Sequence, residues 1–172
     1  MLNALENALG GGVMSKVAML AIVAAFFIVT LRVLGGGTAT AGEVMSAAEA
    51  HAKAMKGEIT LVDVRTPDEW KQTGVPASAH TITMHQEGQK LLKELDAVLG
   101  GDRTKPLAII CRTGNRTGSL AGPLQKAGYT NVIDVSEGMA GGRNGQGWAR
   151  AGLPIRKWTP GQTAPVQVTQ GK

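Results

Sequence analysis

The sequence predicts an α/β protein whose parallel sheet is covered by helices on both sides. Three observations carry that prediction. Leu107-Ala108-Ile109-Ile110 and Asn131-Val132-Ile133-Asp134-Val135 are almost continuous apolar runs, the pattern of strands buried on both faces. Around them lie stretches with apolar residues at helical spacing, so strand and helix alternate along the chain. Aromatic residues make up only 3% of the 172 residues, so the core must be assembled from Ala, Val, Ile and Leu, which disfavours an aromatic-rich β-sandwich.

Residues 1–42 stand apart from this alternation. Val17 to Leu31 is a run of fifteen uncharged residues between Lys16 and Arg32. A spanning helix needs about 20 apolar residues, so the run is short for a bilayer and suits the apolar region of a signal peptide. Ala39 and Ala41 then supply small residues for cleavage before Gly42. The other reading is a retained transmembrane anchor over residues 14–34, with Lys16 and Arg32 reaching the two interfaces. Both readings predict an N-terminal apolar helix and a cell-envelope location, exported to the periplasm or held at the membrane. A start at Met14 gives a more ordinary leader than the long, nearly neutral stretch from Met1. Leu34 to Gly42 is a Gly/Thr/Ala linker.

The domain proper is expected over residues 43–157. Glu43 to Lys56 has Ala-rich helical composition, with Gly57 as its stop. Ile59 to Val64 reads as a strand, and Thr66-Pro67-Asp68-Glu69 opens a helix with Pro67 in its first turn. His80 to Met84 is a second strand. Gln86 to Leu99 carries a helical stripe of Leu91, Leu92, Leu95, Val98 and Leu99, closed by Gly100-Gly101. After the strand Leu107–Ile110, a helix is expected from Gly118 to Ala127, kinked near Gly122-Pro123 because an interior proline costs roughly 3 kcal/mol. The segment from residue 158 to 172, rich in Pro, Gln and Thr, is expected to be disordered.

The net charge of +5 is unevenly spread: residues 1–102 sum to −3 and residues 103–172 to +8. A basic second half suits an anionic substrate or simply a solvated surface. No dense Lys/Arg run interleaved with aromatics is present, which argues against nucleic acid as a partner. His51, His80 and His85 lack metal-ligand spacing with one another or with the cysteine, so no metal site is expected. Trp70, Trp148 and Trp158 read as packing residues.

Cys111 is the one cysteine, so the chain has no internal disulfide framework. It stands where a buried strand gives way to a loop and then a helix, the place where ligands bind in open α/β sheets. Gly114 permits a tight turn there, and consecutive backbone N–H groups with a helix N-terminus form an anion-binding concavity. Arg112 and Arg116 add positive charge. All of these favour the thiolate, the nucleophilic form of the side chain.

Cys111-Arg112-Thr113-Gly114-Asn115-Arg116 resembles the active-site loop of the rhodanese-type sulfurtransferases. The resemblance continues in Leu61-Val62-Asp63-Val64-Arg65-Thr66-Pro67-Asp68-Glu69-Trp70, in Gly128-Tyr129 through Val132, in Glu137-Gly138-Met139 to Gly142, and in Trp148 with Gly152-Leu153-Pro154. It departs at Gly74-Val75-Pro76-Ala77-Ser78-Ala79, where the family often has Gly-His-Ile-x-Gly-Ala. The resemblance implies a single domain with a parallel sheet of about five strands. It also implies a cysteine that carries sulfur as a covalent persulfide, without a cofactor, in a cradle formed by Arg112, Thr113, Gly114, Asn115, Arg116 and Thr117. Asp63 and Arg65 are supporting candidates that brace the loop or form a surface ion pair. The related dual-specificity phosphatases space their cysteine and arginine one residue further apart, so the shorter interval from Cys111 to Arg116 favours sulfur over phosphate.

The implied reaction takes sulfane sulfur from thiosulfate or a similar donor to a thiol or cyanide by nucleophilic covalent catalysis. The alternative is a carrier or non-catalytic module that binds persulfide sulfur or relays it to a partner protein.

Overall fold

The computed structural model describes residues 42–165. Strands β1 (Glu43–Met45), β2 (Thr60–Asp63), β4 (His80–Thr81), β5 (Leu107–Ile110) and β6 (Val132–Val135) form one sheet in the order β1-β6-β5-β2-β4. Every pairing in it is parallel. Helices α1 (Ala47–Met55), α2 (Pro67–Thr73), α3 (Gly88–Leu99), α4 (Asn115–Lys126) and α5 (Gly147–Arg150) surround the sheet. A short antiparallel ribbon pairs β3 (Val75–Pro76) with β7 (Ile155–Arg156).

Alternate residues of each strand point to opposite faces, and here both faces are apolar. Leu107 and Ile109 of β5 join Leu91, Leu95 and Leu99 of α3 and Leu120 and Leu124 of α4 in one core. Ala108 and Ile110 join Met45, Ala50, Ile133, Met139 and Trp148 on the other. This two-sided burial is what the uninterrupted apolar runs express, and it confirms a five-strand parallel sheet with helices on both faces.

Several boundaries differ from the sequence expectation. Glu43–Met45 is a strand, not the start of a helix: it pairs with β6, and Ser46 then caps α1 by accepting from the Glu49 N–H at 3.2 Å. Helix α4 begins at Asn115, three residues before the predicted Gly118, and runs on through Pro123, which lies on its exposed side. Beyond Thr81 the backbone still pairs, Ile82 N–H donating to Asp63 and Met84 N–H to Val64, so the predicted strand to Met84 persists as contacts of the chain. Past Trp158, where disorder was expected, the chain as far as residue 165 lies along β4. Thr81 N–H donates to Thr163 O at 2.9 Å, satisfying an edge group that would otherwise face no partner. The apolar run Val17–Leu31 lies outside the described residues. Among those described, no helix is long and apolar enough to cross a membrane.

The end of β2 is fastened by a buried ion pair. Arg65 Nη2 lies 2.7 Å from Asp63 Oδ2, with side-chain exposures of 2% and 0%. Arg65 also donates to Thr73 Oγ1 and to Gly74 O, both at 2.7 Å. The pair therefore locks the strand to the C-terminal end of α2. Arg65→Ala leaves Asp63 buried without its cation, and such losses cost about 3–5 kcal/mol. Chemical denaturation should show destabilisation of that size for Arg65→Ala and a loss below about 1 kcal/mol for Lys71→Ala, whose pair with Asp68 is exposed.

Candidate active site

Cys111 follows the last residue of β5 and is completely buried. Its Sγ accepts a hydrogen bond from Gly114 N–H at 3.2 Å and lies 3.6 Å from Thr117 Oγ1. Thr117 in turn donates to Gly114 O at 2.9 Å, closing a small ring of contacts around the sulfur. Because α4 starts at Asn115, three of the predicted cradle residues (Asn115, Arg116 and Thr117) form its first turn rather than a free loop. The sulfur thus faces the positive end of the helix.

The loop is held from behind by the turn that follows β6. Met139 N–H donates to Cys111 O and Ala140 N–H to Arg112 O, both at 2.9 Å. The approach is too close for side chains at two points. Gly138 has φ +66°, and a Cβ there would sit 2.5 Å from Arg112 O. Gly114 has φ +86°, and a Cβ there would collide with the carbonyl of Ser136. These glycines serve both a left-handed backbone and a backbone-to-backbone contact.

The two loop arginines have different surroundings. Arg116 makes a two-pronged ion pair with Glu69 of α2, Nη1 to Oε2 at 2.7 Å and Nη2 to Oε1 at 2.6 Å. His85 Nε2 lies 3.4 Å from the same guanidinium. Glu69 also accepts from Thr66 N–H at 3.1 Å, completing the capping box of α2. One carboxylate therefore fixes both the start of α2 and the arginine of the cysteine loop. Arg116 holds that carboxyl down at about 2, with Thr66 contributing. Arg112 is exposed, and its guanidinium has no charged or hydrogen-bonding partner among the described residues. Thr113 is half-buried at the top of the loop.

Asp63 and Arg65 meet as a pair, but their hydrogen bonds go to each other and to Thr73 and Gly74, not to the cysteine loop. Sequence reasoning missed Asp134. It lies on the α4 side of β6, is 9% exposed, and has no hydrogen-bond partner at Oδ1 among the described residues. Burial pushes its carboxyl up, opposed by a bond with Thr117. Sequence reasoning also missed the second role of Glu69. Its place at a helix start was legible, but a partner 47 residues away was not.

A family model for the rhodanese-like domain matches residues 46–144. The chain belongs to the rhodanese-like domain family. Among similar proteins, an uncharacterized protein of Rickettsia rickettsii is 36% identical over 98 residues, 55% of this chain and 80% of that protein. A protein of Allochromatium vinosum named a sulfurtransferase is 33% identical over 98 residues, 57% of this chain and 78% of its own length. The polysulfide-sulfur transferase homodimer of Wolinella succinogenes superposes with a TM-score of 0.53 at 26% identity, covering 79% of this chain and 93% of that one. A crystal structure from M. tuberculosis gives a TM-score of 0.54 at 25% identity, covering 68% and 98%. This rhodanese-like domain therefore has relatives named for sulfur transfer.

The Glu69–Arg116 pair makes a pH prediction. The carboxyl ionises near 4.5 in an unfolded chain and near 2 in the folded one. Its stabilising contribution is therefore fully present above about 4.5 and lost as pH falls from there through about 2. Thermal unfolding at pH 7 and pH 3 should show a smaller drop in Tm for Glu69→Gln than for the unsubstituted protein.

Proposed function

We propose that this protein is a sulfurtransferase that carries sulfane sulfur as a persulfide on Cys111 and needs no resident cofactor. The observation that carries this reading is the hydrogen bond from Gly114 N–H to Cys111 Sγ at the first turn of α4. An N–H aimed at sulfur, backed by a helix N-terminus, stabilises negative charge on that atom in the attacking thiolate. Relatives named sulfurtransferase and polysulfide-sulfur transferase support the same chemistry.

In the first step the Cys111 thiolate attacks the outer sulfur of thiosulfate or a similar donor. A new S–S bond forms, the old one breaks, and sulfite leaves with its electron pair. In the second, a thiol or cyanide takes the terminal sulfur and Cys111 returns as thiolate. Arg112 supplies the cation that meets the donor, while Arg116, held by Glu69, fixes the first turn of α4 under the sulfur. Sγ is fully screened from solvent in this conformation, so loading includes a step that opens the loop. The apolar N-terminal run supports a cell-envelope setting, exported or anchored by residues 14–34.

Incubation with thiosulfate should add the mass of one sulfur atom to the intact protein, and cyanide should remove it as thiocyanate. Cys111→Ser should lose both the adduct and thiocyanate production. Continued turnover in that variant would exclude Cys111 as the carrier. Loading without repeated turnover on any small acceptor would identify a relay to a protein acceptor instead.

A further inference from the structure

Asp134 is a buried ionisable group that the two steps above do not use. It is 9% exposed, and its Oδ1 has no hydrogen-bond partner among the described residues. Its neighbours in the sheet are apolar, Ile109 of β5 and Val44 of β1 standing in register on either side. Glu43, adjacent to Val44, points to the opposite face of the sheet. Arg116, the nearest cation along α4, is taken by Glu69. Burying a carboxyl without a cation is costly. What Asp134 does meet is the first turn of α4. The Thr117 hydroxyl bonds to it, and a Cβ on Gly118 would lie 3.6 Å from its Oδ2.

Thr117 is fully buried and has one hydroxyl proton to give. Three acceptors surround that proton: Gly114 O at 2.9 Å, Cys111 Sγ at 3.6 Å and the Asp134 carboxyl. An ionised Asp134 is a charge-assisted acceptor, so it draws the proton away from the sulfur. A neutral side chain of the same shape, the acid or an amide, donates to Thr117 Oγ1 instead and leaves the hydroxyl proton free for Sγ. Resting on the sulfur-carrier reading above, we propose that Asp134 is a positioning residue for sulfur transfer, setting through the Thr117 hydroxyl how strongly the Cys111 thiolate is stabilised. The effect falls on the release step. Cyanide bonds to the terminal sulfur, the S–S bond breaks, and Cys111 leaves as thiolate with the electron pair. A less basic leaving thiolate departs faster.

The test is an ultraviolet titration of the thiolate in the full chain, which requires no reagent to reach the buried sulfur. Cys111 is the one cysteine, and burial pushes the one tyrosine, Tyr129, up to about 12, so the two absorbances separate. Asp134→Asn should lower the Cys111 titration midpoint by about one pH unit. The same substitution should speed discharge of the preloaded persulfide to cyanide several-fold. Made in Thr117→Val, Asp134→Asn should change neither quantity; made in Thr117→Ser, which keeps the hydroxyl, it should change both. A midpoint that stays put or rises in Asp134→Asn overturns the proposal. So does an equal fall in the Thr117→Val background, the mark of a charge acting on the sulfur directly. Failure of the unsubstituted protein to form a Cys111 persulfide with thiosulfate overturns the sulfur-carrier reading, and this role with it.

Discussion

The site rests on one backbone contact: the turn after β6 pressed against the loop after β5. Two amides, those of Met139 and Ala140, bond to the carbonyls of Cys111 and Arg112. The contact is close enough that only glycine fits at residues 114 and 138. Neighbouring parallel strands β5 and β6 bring the two loops to the same end of the sheet, and the glycines let them touch. The Gly114 amide can then aim at the sulfur because its own residue is held in the left-handed region.

Electrostatics around that contact follow a pattern of local neutralisation. Asp63 with Arg65 ties the end of β2 to Thr73 and Gly74 at the end of α2, and Glu69 with Arg116 ties α2 to the first turn of α4, converting isolated charges into struts. Arg65 is almost fully buried and tolerable because each of its three side-chain nitrogens has a partner. The consequence is a centre with far less free positive charge than its sequence suggests. Two arginines in the loop reduce to one available cation, and the +8 of the C-terminal half says little about the field at the sulfur.

Much of this was legible in the sequence, for identifiable reasons. The strands β5 and β6 were readable because burial on both faces leaves them apolar at every position but Asp134, and α3 because its leucines recur at helical spacing. Cys111 stood out because it combined a strand end, a glycine and arginines. What the sequence concealed depends on distant partners. Glu43–Met45 has no strand signature of its own and becomes one only by pairing with β6, some 90 residues later. Residues 159–165 are compositionally loop-like, but an unsatisfied edge at Thr81 gives them something to bind. The pairing of Arg116 was hidden for the same reason: its charge was visible and its partner Glu69 was not. The early start of α4 at Asn115 reflects Gly114 in a left-handed turn, which ends the loop sooner than the next helix-favouring residues imply.

The complete burial of Cys111 has a consequence outside sulfur transfer. Peroxides oxidise a cysteine through its thiolate, first to the sulfenic acid and then to states that are not readily reversed. Proteins that use such oxidation reversibly often keep a second cysteine nearby to trap the sulfenic acid as a disulfide. This chain contains no other cysteine. Shielding by the loop, Thr117 and the Gly114 amide is therefore its protection against irreversible damage, and any motion that opens the loop exposes the protein to that hazard along with its substrate.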